Sequence, residues 1–310
     1  MHSEHQPTYS SIIGPEDYNR LMTEQHLYIA EADACVSTLL RDIHGTKRII
    51  EAVELGCGPA RLLQHVAQDM NVHATGIDHD NEFIRYGRRI LRQQGIPATI
   101  HKADIAVYRH PVPVDVFYSQ GVHHHIEKGT KTLAYLRNVH DQLKPDGSFI
   151  VSDEFLPEYS TPKERKIRTI IWYSHIIANA ITGGYKQLAE EEAKTLLDDL
   201  NEHGNQNGLK SKAQIGTVLR NVDLINKLAC NKKMKEGARR ANLLLGSISS
   251  MRNTEKSGNP SMDLSRGDYK ISDSVFRKEI DEAGFFVDQI HTIGPVENIG
   301  GFSVYLLRKS

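Results

Sequence analysis

Three acidic residues and a glycine turn are spaced in this 310-residue sequence as a ligand site would require. Glu54 comes just before the turn Gly56–Gly58, and Asp78 and Asp104 each follow a short apolar stretch further along the chain. Glycine at positions 56 and 58 permits a positive φ and lets a ligand approach the backbone closely. The carboxylates can accept hydrogen bonds from hydroxyl or amino groups. The pattern predicts a ligand-binding loop backed by carboxylates.

A glycine turn of this kind occurs in several nucleotide-binding folds, so the residues around it must discriminate among them. The dinucleotide-binding fingerprint requires a small residue three positions past the second glycine, where helix packs on strand, and this chain has Arg61 there. A phosphate-binding P-loop requires Gly-Lys followed by Ser or Thr, and the turn lacks that sequence. The sequence therefore disfavours a dinucleotide site and excludes a P-loop.

The acids are positioned by three predicted strands, at residues 49–53, 72–78 and 98–105. In open α/β sheets, ligand contacts lie at the carboxyl ends of the strands. At that edge Asp78 can accept hydrogen bonds from two ribose hydroxyls. Asp104, together with Ile105, suits the amino group and the ring face of an adenine.

Strand and helix patterns alternate from residue 47 to residue 155. Helical spacing recurs at residues 61–70, 81–94 and 131–143, and further apolar strand runs occupy residues 115–119 and 148–152. This alternation is typical of a doubly wound parallel sheet. Ahead of it, residues 15–40 carry the signals of one or two helices, which we expect to form a cap.

Glu54, Gly56, Gly58, Asp78 and Asp104, taken in order, resemble the class I S-adenosylmethionine-dependent methyltransferases. The resemblance covers residues from about 49 to 155 and the C-terminal segment, and it includes the Leu-Lys-Pro-Asp-Gly turn at 143–147. One departure is Ala60, where the family most often has a third glycine and where a small residue is tolerated. The resemblance implies S-adenosylmethionine as the cofactor. It also implies a seven-stranded, mostly parallel Rossmann-like α/β sheet with an antiparallel terminal strand.

The same resemblance implies which residues hold the cofactor: the glycine turn with its acid takes the methionine end, and the later acids take the ribose and the adenine. The implied cofactor-binding residues are Glu54, Gly56, Cys57, Gly58, Asp78, His79, Asp104, Ile105, Gln120 and Gly121. In the family, N-terminal helices often fold over the cofactor, where Tyr9, Tyr18 or Tyr28 could contact its carboxylate. Packing of a helix onto the sheet is the commoner role for such aromatic residues.

The chain divides into a cap, a core and an insertion. We expect an N-terminal helical cap at 1–44, a cofactor-binding core at 45–156 and 271–310, and a large helical insertion at 157–270 after the fifth strand. In the insertion, a first helical pattern ends near Gly183, and further helical patterns cover residues 187–203, 213–228 and 234–248. Residues 251–270 indicate a loop. A helix at 275–283 and strands at 289–293 and 302–307 return to the core. Because many methyltransferases share the core, we expect substrate choice to lie on the insertion.

Three adjacent histidines, His123, His124 and His125, follow the fourth predicted strand, where donor and acceptor should meet. Histidine is well suited to remove a proton from an acceptor near neutral pH, so one of the three is the candidate catalytic base. Methyl transfer can also proceed by alignment alone, without a base. Neighbouring loop side chains point in different directions, so at least one histidine is expected to be structural, and a metal site is disfavoured. Asp153 and Glu154, at the end of the fifth strand, could bind a cationic acceptor.

Composition limits the partners and the compartment. A formal net charge of -1 provides no overall field to attract nucleic acid or an anionic membrane. Cys35, Cys57 and Cys230 lie too far apart to indicate a disulfide framework or a zinc site, which favours a reducing cytoplasm. No stretch has the pattern of an export leader or of a membrane span.

The leading hypothesis is a methyltransferase for a small-molecule acceptor, enclosed by the cap and the insertion. Methylation of RNA or protein is the alternative within the enzyme class, and the basic residues of segment 227–240 favour it. A protein that binds the donor without turnover is the alternative from another class. The aromatic residues of the insertion could line an acceptor pocket or pack its core; they are Trp172, Tyr173, His175 and Tyr185.

Overall fold

A central sheet with helices on both faces forms the body of the molecule. The computed structural model describes residues 13–45, 49–69, 71–200, 212–254, 269–294 and 297–310. The strands are β1 (Ile50–Leu55), β2 (Val72–Asp78), β3 (Ala98–Lys102), β4 (Val114–Gln120), β5 (Leu143–Leu156), β6 (Ile271–Ser272), β7 (Phe285–Ile293) and β8 (Gly301–Lys309). The long strands follow the order β3-β2-β1-β4-β5-β8-β7, and the two-residue β6 pairs with β5.

The first five strands are parallel, and β8 runs antiparallel between β5 and β7. The predicted mostly parallel sheet with an antiparallel terminal strand is thus confirmed. The strand order reverses between β1 and β4, and in open α/β sheets the crevice outside the carboxyl ends of such a pair is where ligands bind. Glu54 lies near the end of β1, and Gln120 is the last residue of β4.

The helices begin and end largely where the sequence signals place them. They are α1 (Pro15–Glu24), α2 (Ile29–His44), α3 (Arg61–Asp69), α4 (Asn81–Gln94), α5 (Thr130–Gln142), α6 (Pro162–Thr182), α7 (Lys186–Asp199), α8 (Lys212–Cys230), α9 (Met234–Thr254) and α10 (Asp273–Glu282). Helix α4 shows why: the Asp80 carboxylate accepts the amides of Glu82 and Phe83 at its start, and Gly95 ends it in the left-handed conformation at φ 67.

Helix α9 corrects one prediction. Residues 251–254, expected to be in a loop, continue the helix to Thr254. The helix continues because the first strong breakers, Gly258 and Pro260, come only later in the sequence. The remainder of the predicted loop up to residue 268, and the end of the predicted helix at 187–203 beyond residue 200, lie outside the described residues.

Alternation along the strands gives the sheet two apolar faces. The first face, which includes Ala52 and Val116, packs against α2, α3 and the insertion helices, and α4 covers its continuation over β2 and β3. The second face, which includes Val53 and Phe117, packs against α5 and α10. By the same alternation, Glu54 and Gln120 belong to the first face.

The connection from β3 to β4, residues 103–113, contains turns and bends but no helix. Ala103, Ile105 and Tyr108 from this segment pack against the apolar cluster of the second face. The fifth strand also contains an irregular section, because its pairing with β4 jumps from Leu143 to Ser148. This section corresponds to the predicted turn at 143–147.

The insertion helices α6 to α9 pack on one another and join the apolar cluster of the first face. Trp172 and Tyr173, on α6, are buried in that cluster and therefore fill the core. No helix within the described ranges is long and apolar enough to cross a membrane.

Candidate functional site

The glycine turn after β1 is folded tightly against the end of β2. Gly56 and Gly58 have φ values of 69 and 50, in the left-handed region that glycine tolerates. The amides of Gly56 and Cys57 both donate to the carbonyl oxygen of Ile77, at 2.8 and 3.0 Å. A Cβ atom at Gly56 would lie 2.6 Å from Val122 Cγ2, so the turn also requires glycine there for space.

Ala60, two residues past the second glycine, adopts φ 66. An alanine in the left-handed region is disfavoured by roughly 1–2 kcal/mol because its Cβ approaches the following carbonyl oxygen. The position therefore keeps the backbone conformation that a third glycine would take without strain. The sequence showed the small residue but not its conformation.

Glu54 is a buried carboxylate, 3% exposed, at the end of β1. The Leu63 amide of α3 donates a hydrogen bond to it, but burial and repulsion from Asp78 raise the pKa of Glu54 well above its usual range. Its Oε2 atom has no hydrogen-bond partner within the described residues. Buried polar atoms are normally paired, so a cationic or hydrogen-donating ligand group would complete this site.

Gln120, at the end of the neighbouring strand β4, shows the same feature. Both its amide oxygen and its amide nitrogen are buried and lack a partner among the described residues. Gly121 follows with φ 63, and its amide donates to the Ser152 carbonyl oxygen at 2.8 Å. The unsatisfied groups of Gln120 and Glu54 thus lie on adjacent strands, on one face of the sheet, at the strand-order reversal.

Asp78 connects the glycine turn to β2. Its Oδ2 accepts the Gly58 amide at 2.7 Å, and its Oδ1 accepts the Asp80 amide at 2.8 Å. A carboxylate oxygen can accept more than one hydrogen bond, so Asp78 retains capacity for hydroxyl groups. The His79 ring is exposed, with its Nδ1 3.9 Å from Asp78 Oδ1.

Asp104 and Ile105 lie just past the end of β3. The Ala103 amide donates to the Asp78 carbonyl oxygen at 2.9 Å, which places Asp104 beside the end of β2. The exposed Asp104 accepts the Ala106 amide at 2.8 Å through Oδ1, and the half-buried Ile105 packs against the second face. The acids after β2 and β3 therefore belong to one edge of the sheet.

The three histidines form a short 3-10 helix, His123–His125, and contact different partners. The Nδ1 atom of His124 hydrogen-bonds Asp153 Oδ1, and the His124 amide donates to Asp153 Oδ2 at 3.2 Å. His123 instead hydrogen-bonds Glu279 Oε2 through Nε2 at 2.8 Å and packs edge-on against Phe276. His123 and His124 are thus held by acids on different elements, α10 and β5.

Asp153 is 1% exposed, and its charge state follows from His124. Burial alone would raise the pKa of Asp153, but attraction and hydrogen bonding to His124 outweigh it and lower the pKa. An ionised Asp153 holds a proton on His124 Nδ1, so Nε2 carries the lone pair of the neutral ring. The His125 ring lies 4.0 Å from the His124 ring, and a Cβ at Gly121 would lie 3.9 Å from His124 Cε1.

Comparison with known proteins decides the family of this domain. Residues 52–147 match the family described as "Methyltransferase domain". A solved S-adenosylmethionine-dependent methyltransferase from Clostridium acetobutylicum superposes with a TM-score of 0.52 at 10% identity, over 95% of this chain and 97% of that one. Residues 52–147 therefore form a methyltransferase domain, and the solved enzyme shares the fold of this chain. The resemblance noted from the sequence is confirmed.

Other solved methyltransferases match at lower TM-scores. The mitomycin 7-O-methyltransferase matches with a TM-score of 0.49 and 15% identity, over 96% of this chain and 57% of that one. The present chain therefore spans little more than half the length of that enzyme. A Burkholderia thailandensis 1,6-didemethyltoxoflavin-N1-methyltransferase matches with a TM-score of 0.48 and 10% identity, over 100% of this chain and 93% of that one. No curated protein matches the sequence.

One buried cation near the proposed site, Lys270, carried no sequence signal. Lys270, 1% exposed, donates to the Tyr173 hydroxyl at 2.8 Å and pairs with Glu154 Oε2 at 3.1 Å. Glu154 also accepts the Trp172 indole N–H at 3.0 Å. Lys270 lies in a polar stretch whose sequence resembles an ordinary loop, so only the fold reveals that it joins the insertion to β5.

Arg61, which argued against a dinucleotide site, forms a buried ion pair with Asp33 and so joins α3 to α2. Tyr18 of α1 is partly buried near Arg61, Glu192, Asp78 and Glu154, and burial raises the pKa of Tyr18. The Tyr28 hydroxyl hydrogen-bonds His175 Nε2 at 2.8 Å, so Tyr28 follows the packing alternative. Tyr9 lies outside the described residues. Among those residues, no group of three or more His, Cys, Asp or Glu is arranged to hold a metal ion.

Proposed function

We propose that this protein transfers the methyl group of S-adenosylmethionine to a small-molecule acceptor. The observation that carries the proposal is the buried Glu54 carboxylate, whose Oε2 lacks a partner beside the glycine turn and Asp78. The ammonium group of a methionine moiety supplies both the charge and the donors that this oxygen lacks. The residues present therefore fit the cofactor.

The donor contacts follow the order of the strands along the sheet edge. Glu54, Gly56, Cys57 and Gly58 would hold the methionine end, and Asp78 with His79 would hold the ribose hydroxyls. Asp104 and Ile105 would take the adenine, while Gln120 and Gly121 would present amide groups to the amino acid part. The close packing of the Gly58 amide on Asp78 Oδ2 supports this arrangement, because it draws the ends of β1 and β2 together.

The bound cofactor supplies an electrophilic methyl group on a sulfonium. The remaining work of the chain is to align the acceptor with that group, and proximity alone provides much of the rate acceleration. For a hydroxyl or protonated amine acceptor we assign His124 as the base that removes the proton. Asp153 fixes the His124 tautomer, and its hydrogen bond orients the ring.

His125 is the second candidate base, because its ring lies beside the His124 ring. His123 would have a structural role, because it is held by Glu279. These roles divide the three histidines between chemistry and structure.

The cap, residues 1–44, and the insertion, residues 157–270, would close the site over the core at 45–156 and 271–310. A contact between them supports the enclosure: Arg20 of α1 donates to Gln187 Oε1 of α7 at 3.2 Å. An enclosed site suits a small acceptor. We also propose a reducing cytoplasm as the compartment, because Cys35, Cys57 and Cys230 lie too far apart in the sequence to indicate a disulfide framework.

A nucleic acid or protein acceptor is the second candidate. The observation that favours it is the turn between α8 and α9, where Lys232, Lys233 and Lys235 are exposed. Binding by such a turn would weaken steeply with salt. A donor-binding protein without turnover is the third candidate.

The proposal is tested by incubating the protein with methyl-labelled S-adenosylmethionine and a cell extract, and by identifying labelled products by mass spectrometry. We expect label in a small molecule. Label in RNA or protein would favour the second candidate. Tight donor binding without any labelled product would favour the third.

A further inference from the structure

A groove of about 620 Å³ lies over strands β1 to β3 on the second face of the sheet, opposite the face that carries Glu54 and Gln120. Its floor includes Glu51 and Thr75, and its walls include His101, Lys102 and the segment from Tyr108 to Val112. This volume lies within the range of small-molecule sites in proteins. None of these residues has a role in the methyl transfer proposed above, although Lys102 lies two positions before Asp104 in the chain.

The groove exists because the β3 to β4 connection is not helical. A helix there would cover the second face over β1 to β3, and the sequence instead places polar side chains on that part of the face. Glu51 pairs in register with His73, and Thr75 with Thr99. These residues alternate with the buried apolar ones of the first face, so the polar floor is built into the strand pattern.

The wall of the groove is held in place by α5. Asn138 and Gln142 both donate side-chain amide hydrogens to the Tyr108 carbonyl oxygen, at 2.9 and 3.0 Å. The His110 amide donates to Gln142 Oε1, and the Tyr108 hydroxyl bonds His110 Nδ1 at 3.0 Å. Because these bonds fix the segment before any ligand arrives, binding would cost little ordering entropy.

Among the described residues that line the groove, one acid is already partnered and one cation is exposed. The acid, Glu51, lies between two imidazoles, with His73 Nδ1 at 2.6 Å and His110 Nε2 at 3.5 Å. The cation, Arg109, is exposed and also lines a second cavity of about 260 Å³. Lys102 pairs in register with Asp78, so alternation places its side chain on the other face.

Two flat aromatic rings line the same groove as Arg109. The rings of His101 and Tyr108 have centroids 6.5 Å apart and planes within 26° of each other. Val112 adds an exposed apolar side chain at the rim, and Pro111 completes that wall. Rings, apolar rim and a planar guanidinium together suit a flat aromatic ligand that carries a negative group.

We propose that this groove is a second binding site, for a small planar aromatic anion such as an aryl carboxylate or sulfonate. Arg109 holds the anionic group, and His101 and Tyr108 contact the ring. The site lies on the face opposite Glu54 and stands whether or not the protein transfers methyl groups. Binding weakens as salt is raised, because Arg109 is exposed.

The test uses anilinonaphthalene sulfonate as the probe and follows its fluorescence with the full-length protein. We expect saturable binding that persists with saturating S-adenosylhomocysteine. The substitution Arg109→Gln should weaken the affinity at least about tenfold, and Arg109→Lys should retain more of it. The matched control is Lys278→Gln, which removes an exposed cation of α10 outside the groove and should change the affinity less than about twofold.

Thermal unfolding of each variant establishes that the fold is retained, which is expected because Arg109 and Lys278 are exposed. The proposal is overturned if the Arg109→Gln variant binds the probe as well as the wild type does. It is equally overturned if the nucleoside displaces the probe, or if the wild type shows no saturable binding.

Discussion

The Nδ1 atom of His124 hydrogen-bonds the Oδ1 atom of Asp153, although 29 residues separate them in the chain. The pair forms because His124 follows β4 and Asp153 lies near the end of β5, and these strands are parallel neighbours. The arrangement gives the proposed base a fixed orientation and a defined tautomer. His123 has a different partner, because its Nε2 atom hydrogen-bonds Glu279 Oε2.

Substitution of His124 by Gln should lower kcat by about 100-fold or more, because general-base catalysis typically contributes that much. Asp153→Asn should lower kcat in the same direction by removing the charge that orients the ring. Donor affinity, measured by calorimetry, should stay within about threefold of the wild type. The matched control is His125→Gln: a loss of kcat confined to that variant would move the base to His125, and no loss in either variant would leave alignment as the only mechanism.

Glu54 makes donor binding depend on pH. Because its folded-state pKa is raised, Glu54 is protonated in the free protein at low pH, and it must ionise to pair with an ammonium group. Donor affinity should therefore increase as pH rises toward the raised pKa of Glu54. Below that pKa, donor binding should release a proton from Glu54. Calorimetry in buffers of different ionisation enthalpy measures the proton release directly.

The variant Glu54→Gln separates this effect from stability. Ionising a buried carboxyl whose pKa is raised opposes folding above its unfolded pKa, so Gln should raise the melting temperature near neutral pH. The same change should weaken donor binding by roughly 1–3 kcal/mol and abolish its pH dependence. Unchanged affinity in this variant would contradict the assignment of Glu54.

Asp78→Ala should weaken donor binding by roughly 1–3 kcal/mol through lost charge-assisted hydrogen bonds. The structure adds a second consequence, because the amides of Gly58 and Asp80 lose the carboxylate they donate to. We therefore expect a loss of folding stability of about 1–3 kcal/mol as well, measured by urea unfolding. Full stability together with unchanged affinity would show that the carboxylate holds neither the turn nor the donor.

Ala60→Gly should stabilise the fold by up to about 1 kcal/mol, because glycine adopts φ 66 without strain and this gain exceeds its extra unfolded-state entropy. Ala60→Val should destabilise it, since a β-branched residue tolerates that region still less. Chemical denaturation of the two variants gives both signs. A lower midpoint for the glycine variant would show that the left-handed conformation is not strained in the protein.

Lys270→Met should destabilise the protein by about 3–5 kcal/mol, because it removes the buried cation that contacts both Glu154 and Asp199. Adding Glu154→Gln to this variant should recover a large part of the loss. Equilibrium unfolding of the two single variants and the double variant gives the coupling energy. Additive losses would show that the pair does not hold the insertion to β5.

The fold could be predicted from the sequence because its signals are local. Alternating apolar runs and capping residues such as Asp80 and Gly95 act within a few positions of the chain, and they gave α4 with both its ends. The order of acids after successive strands then indicated the family. The predicted donor residues and the histidine base remain predictions for the experiments above.

The remainder depends on contacts between distant segments. No local pattern shows that Asp153 selects His124 among three histidines, or that Lys270 is buried against Glu154. The polar floor around Glu51 and Thr75 was equally hidden, because its meaning depends on the absence of a helix from the β3 to β4 connection at 103–113. Tertiary packing, rather than propensity, decided each of these features.

The position of the bound donor tests the central claim most directly. A crystal structure with S-adenosylhomocysteine should show its amino group within hydrogen-bond distance of Glu54 Oε2 and its ribose hydroxyls on Asp78. A nucleoside bound elsewhere, with Glu54 Oε2 still lacking a partner, would contradict the account.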